Sequence, residues 1–78
     1  MLNTTGVENT ASGSLALSRN ISGDGNTAFG RFALYSNISG DGNSAFGFRA
    51  GNDLTSGNSN TFIGYNACQG VTSANNFF

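Results

Sequence analysis

The sequence predicts an all-β fold, a parallel β-solenoid, and three observations carry that expectation. The chain repeats itself every 17 residues. Each copy is dense in glycine and asparagine, which break helices and mark turns. Proline is absent and only 9% of residues are charged, so the surface reads as polar but uncharged, as in exposed β structure.

The repeat comes first, because missing one miscalls a whole fold. Residues 20–30 read NISGDGNTAFG and residues 37–47 read NISGDGNSAFG. The columns Asn9, Asn26, Asn43, Asn60 and Gly13, Gly30, Gly47, Gly64 keep the same spacing, as does Gly6, Gly23, Gly40, Gly57. Residues 1–78 therefore read as a single segment, with copies at 3–19, 20–36, 37–53 and 54–70 and a partial copy at 71–78. The first residues enter in mid-copy, so the chain is expected to be a piece of a longer one.

The period excludes other repeat folds. A helix pair or a propeller blade needs about 33 residues or more per repeat. A coiled coil needs apolar heptads, and none are present. Short strands joined by tight corners fit. One strand is expected at 26–30, with copies at 43–47 and 60–64. A second is expected at 32–35, and a shorter third at 20–22 and 37–39. The corner Ser22-Gly23-Asp24-Gly25 carries two glycines, which reach backbone conformations that other residues avoid. Turns stacked at ~4.8 Å place equivalent residues in columns, so each copy must match the neighbour it hydrogen-bonds.

The columns predict an interior. Ala16, Ala33, Ala50 and Ala67 form an all-alanine row, which suggests a tight core. Ala11, Ala28, Ala45 and Phe62 form a second row. Ile21 and Ile38, with Leu17 and Leu34, are expected to add larger apolar groups to the core. Phe29, Phe46 and Ile63 make a further apolar column. Successive strand residues point to opposite faces, so the Ala28 and Phe29 columns cannot both face a narrow interior. An outward phenylalanine column needs a cover, and self-association as a trimer, three solenoids around an axis, supplies one; the competing reading is a corner between strands that turns both columns inward. Phe29, Phe46 and Ile63 are therefore the expected assembly contact, with Phe77-Phe78 as an apolar end plug or the start of the next stack.

The segment from Gly25 to Gly42, with Asn26-Thr27-Ala28, Gly30, Ala33-Leu34 and Asn37 at fixed places, resembles repeats of phage tail fibres and of surface proteins of bacteria and large viruses. Asn26-Thr27-Ala28-Phe29-Gly30 is also similar to the Asn-Ser-x-Ala-Ile-Gly signature of trimeric autotransporter adhesin heads. The resemblance covers nearly the whole chain. For those heads it implies a trimer of left-handed parallel β-rolls, and the repeat here is longer than theirs.

Chemistry is sparse. The chain has no histidine, which removes His-based triads and His metal sites. Cys68, the single cysteine, shares the column of Leu17 and Leu34 and reads as a small apolar residue. The carboxylates are Glu8, Asp24, Asp41 and Asp53. Asp24 and Asp41 share one column, whereas a catalytic pair needs two different environments. A calcium ion would relieve their mutual repulsion, roughly 1 kcal/mol in water-like surroundings, but Asn58 and Asn75 continue the column and no calcium-roll spacing appears. The glycine-rich corner is not followed by Gly-Lys-Ser/Thr. No catalytic residue, metal or cofactor is expected, and the chain is not read as an enzyme. With no lysine and a net charge of −1, nucleic acid is not an expected partner. No apolar run is long enough to insert in a membrane.

Asn3-Thr4-Thr5, Asn20-Ile21-Ser22 and Asn37-Ile38-Ser39 are N-glycosylation sequons. The competing reading of Asn3, Asn20 and Asn37 is an asparagine ladder at a corner. The expected function is a structural fibre segment, the shaft or head of a phage or viral tail fibre or a cell-surface adhesin, or a filament-forming subunit. Its place is extracellular, on a cell surface or virion, and its partners are copies of itself and surface glycans. The alternative is a glycan- or ice-binding module that uses a flat face along Thr10, Thr27, Ser44 and Thr61.

Overall fold

The structure is a computed structural model that describes residues 6–73 and Asn75. The expectations for Asn3 and for Phe77-Phe78 lie outside the described residues. Among those residues there is no helix, and the fold is all-β. Its strands are β1 (Thr10–Ser12), β2 (Thr27–Phe29), β3 (Ser44–Phe46) and β4 (Thr61–Ile63). They form one parallel sheet in the order β1-β2-β3-β4. Each strand pairs with the equivalent residues of the next copy: Thr10 with Thr27, Ala28 with Ala45, and Phe46 with Ile63. Parallel strands so joined are compatible with the solenoid expected from the repeat.

Each strand lasts three residues because a glycine ends it. Gly30 and Gly47 sit at φ 129° and 130°, where a side chain is strained. A Cβ on Gly30 would also come within 2.5 Å of the Gly47 carbonyl oxygen one copy on. The chain turns there, and the strand expected at 32–35 does not form. Phe32 and Leu34 adopt φ 62° and 49°, and every second residue closes a local turn. Ala33 N–H donates to Gly30 O, Tyr35 N–H to Phe32 O and Asn37 N–H to Leu34 O. The residues between bond to neighbouring copies, Phe32 N–H to Ser14 O and Leu34 N–H to Ala50 O. Backbone groups are thus satisfied without an extended strand. The segment 20–22 is likewise bent.

The centre of each strand points inward. Ala28, Ala45 and Phe62 are buried with Ala16, Ala33, Ala50, Leu17, Leu34 and Leu54, and Ala67 and Cys68 pack at the margin of that cluster. Ile21 and Ile38 are not in it. They are 44% and 41% exposed, contrary to the expectation from their hydropathy. Their neighbours Asn20 and Asn37 occupy the interior instead.

Candidate functional site

The buried asparagines explain the reversal at the corner. Asn20 Nδ2 donates to Gly23 O at 3.1 Å, folding the corner onto its own carbonyl. Asn37 Nδ2 does the same to Gly40 O at 3.2 Å and also donates to Asn20 Oδ1 at 2.9 Å. A second ladder runs beside it. Asn26 Oδ1 accepts from Asn43 N–H at 2.9 Å, and Asn43 Oδ1 from Asn60 N–H at 3.0 Å. Asn26 Nδ2 reaches Gly40 O, and Asn43 Nδ2 reaches Gly57 O, each at 2.7 Å. An interior amide is tolerated when its hydrogen bonds are made, and here they tie one copy to the next. Glycan attachment needs the amide nitrogen in solvent. Those of Asn20 and Asn37 are enclosed and bonded, so neither sequon is open in the folded chain.

The aspartate column works in the same way on the outside. Asp24 Oδ1 accepts from Val7 N–H at 2.9 Å, Asp41 Oδ1 from Asp24 N–H at 2.8 Å, and Asn58 Oδ1 from Asp41 N–H at 2.8 Å. Asp and Asn interchange there because the bond needs only a side-chain oxygen. Asp53 Oδ2 takes Gly70 N–H at 2.8 Å. Among the described residues no group of three or more His, Cys, Asp or Glu could hold a metal ion. Burial pushes the Cys68 thiol above its ordinary range, which keeps it protonated and a poor nucleophile near neutral pH.

The outer face of the sheet is where the fold leaves apolar surface open. The first and third residues of each strand point the same way. β2–β4 therefore present Thr27, Ser44 and Thr61 in one row and Phe29, Phe46 and Ile63 in the next. Phe29 and Phe46 stack with centroids 5.2 Å apart and planes 6° apart. They are 41% and 40% exposed, and Ile63 is 73% exposed. This face carries no charge.

Past the strand-ending glycines lies an aromatic flank that the column reasoning did not single out. Phe32 meets Tyr35 and Phe48 edge to face at 5.3 and 6.3 Å. Phe48 stacks on Tyr65 at 5.3 Å. Arg19 lies over the Tyr35 ring and Arg31 over the Phe32 ring, at 5.3 and 5.0 Å. The available signal was that aromatics recur here without keeping to one column. No protein-family model matches the chain, and no curated protein or solved structure matches it.

Proposed function

We propose that the chain is a structural fibre segment: a parallel β-solenoid of 17-residue turns that acts by setting a rigid spacing. Its copies associate side by side as a trimer, or end to end as a filament. The observation that carries this reading is the uncharged outer face with its stacked Phe29–Phe46 pair, held by ladders that tie every copy to the next. A lone chain leaves that surface in water, and a second copy covers it at no cost in buried charge. The resemblance to tail-fibre and adhesin repeats supports the same reading, and with it a place outside the cell, on a virion or a cell surface. Glycan receptors then belong to the fibre's environment, and no catalytic step is assigned.

Size decides how the contact is made. Three residues by four strands span only ~200 Å², well under the ~800 Å² per partner of a standard interface. Side-by-side pairing therefore needs additional repeats, whereas end-to-end growth would use the β1 and β4 edges of the described sheet, since edge strands invite a further strand. The polar alternative is less well supported. Thr10, Thr27, Ser44 and Thr61 share their face with the phenylalanine row, so they offer no separate flat polar surface for ice or glycan. Light scattering at micromolar concentration tests the proposal, which requires a mass above that of one chain.

A further inference from the structure

Phe32, Tyr35, Arg49 and Asn52 line one open groove. They are two pairs of stacked neighbours, Phe32 above Arg49 and Tyr35 above Asn52, each pair 17 residues apart in the chain. The equivalent residues of the adjoining copies are Leu15 with Ser18 and Asn66 with Gln69, so the combination occurs once.

The lining has a definite chemistry. Phe32 and Tyr35 form an edge-to-face corner, their planes 79° apart, and present aromatic surface to the opening. Arg19 and Arg31 already sit over those two rings. Arg49 is exposed, and its guanidinium makes no ion pair, side-chain hydrogen bond or ring contact among the described residues. Asn52, which lines the groove, donates through Nδ2 to Phe32 O at 3.3 Å, which leaves its Oδ1 to accept. Phe32 and Arg49 are both held at left-handed φ, 62° and 60°, where bulky side chains are seldom placed.

We propose that this groove binds an acidic sugar ring. The three features call for three groups on one small ligand. A carboxylate answers the planar fork of Arg49, which suits bidentate pairing. A face of C–H bonds answers the aromatic corner, and a hydroxyl donor answers Asn52 Oδ1. A uronic-type sugar carries all three. The cavity of about 230 Å³ is smaller than the roughly 300–1,000 Å³ that encloses a drug-sized ligand, and suits a single ring of a longer glycan. This function is separate from self-assembly, because the groove uses neither the Phe29–Phe46 row nor the sheet edges.

The test uses the whole chain with tetragalacturonate as probe and its methyl ester as the uncharged match, followed by saturation-transfer NMR and by the Asn52 side-chain amide shift. Saturable binding of the acid is expected, weaker by roughly tenfold or more for the ester and for Arg49→Gln, as the loss of a charge-assisted pair implies. Arg49→Lys, which keeps the charge and loses the fork, falls between. Circular dichroism of each variant reports whether it is folded, and the ester comparison on the native chain needs no variant. The assignment is overturned if the acid does not bind, if the ester binds as well, or if Arg49→Gln binds the acid as tightly as the native chain. Light scattering on the same samples reads assembly independently.

Discussion

A Cβ on Gly51 would lie 2.6 Å from Cδ2 of Phe62, so these two residues occupy one volume of the core. The repeat shows why. Gly51 stands where earlier copies have Leu17 and Leu34, and Phe62 where they have Ala28 and Ala45. A large residue in one column is compensated by the smallest in the other. Gly51 at φ 62° matches Leu17 and Leu34 at 52° and 49°, so the backbone already accepts leucine there.

The pair predicts a non-additive mutant cycle. Gly51→Leu alone drives a side chain into the Phe62 ring and should cost about 1–3 kcal/mol. Phe62→Ala alone empties the site and should cost about 3–5 kcal/mol. Together they restore the pattern of the second copy, and the double variant should be more stable than the sum of the two costs implies, by about 1–3 kcal/mol. Denaturant midpoints measure this, and simple additivity would show that the two side chains do not share space.

A second prediction concerns the end of an asparagine ladder. Asn37 Oδ1 is buried without a hydrogen-bond partner. The next residue of its column is Leu54, which cannot donate. Leu54→Asn would supply the amide that Asn37 itself supplies to Asn20. An unsatisfied buried acceptor costs about 1–3 kcal/mol, close to the ~1.5–3 kcal/mol of a buried leucine side chain. The new Oδ1 would in turn face Val71, whose side chain cannot donate, so the unsatisfied acceptor moves up one copy and the change should cost about the ~1.5–3 kcal/mol of the lost leucine burial. Leu54→Ala, which offers no donor, should cost about 2–5 kcal/mol. If the two substitutions destabilise equally, the ladder is not what organises this column.

That contrast also marks how far the sequence could be read. The parallel pairing was legible because columns of Gly, Ala and Asn recur without a gap, and only in-register stacking demands that. The alternation Ala28 inward, Phe29 outward was legible as a constraint, since one strand cannot bury both. The corner was not. Hydropathy ranks Ile21 above Asn20 for the interior, yet the structure reverses them, because the Asn20 amide donates to Gly23 O and accepts from Asn37 Nδ2 up the column. A polar side chain becomes a good core residue only once the stack exists. The 32–35 segment misled for a related reason. Its aromatic and aliphatic residues suggest a strand, while the chain holds alternate residues at left-handed φ to close turns. The groove rests on those unexpected conformations, which place Phe32 above Arg49.

Two glycines of one corner should respond in opposite ways. A Cβ on Gly23 would collide with Gly40 O and lie 2.5 Å from Asn20 Oδ1, whereas Gly25 meets nothing within 4 Å. Gly23→Ala should therefore break contacts in two copies at once and cost on the order of 2 kcal/mol or more. Gly25, at φ 66°, accepts the residue that best tolerates that region, and Gly25→Asn should cost under about 1 kcal/mol. Thermal unfolding of both variants checks the pair. A Gly23→Ala chain as stable as the native one would mean that the copies do not approach so closely.

The last prediction separates assembly from folding. Phe46 is 40% exposed on the sheet face and Ile21 is 44% exposed outside it. In a single chain either residue can become aspartate at modest cost, because its surroundings are already wet. In an assembly that covers the sheet face, Phe46→Asp puts a charge into an apolar contact with no partner to offset it, a change worth several kcal/mol. Phe46→Asp should therefore lower the mass seen by light scattering while the β-rich circular dichroism persists. Ile21→Asp should leave both unchanged. Because a face of ~200 Å² is small, the effect should grow with length, and a chain of eight copies should assemble at far lower concentration than this one. A native chain that stays folded at 8.0 kDa, or a Phe46→Asp variant with unaltered mass, would remove the sheet face as the contact.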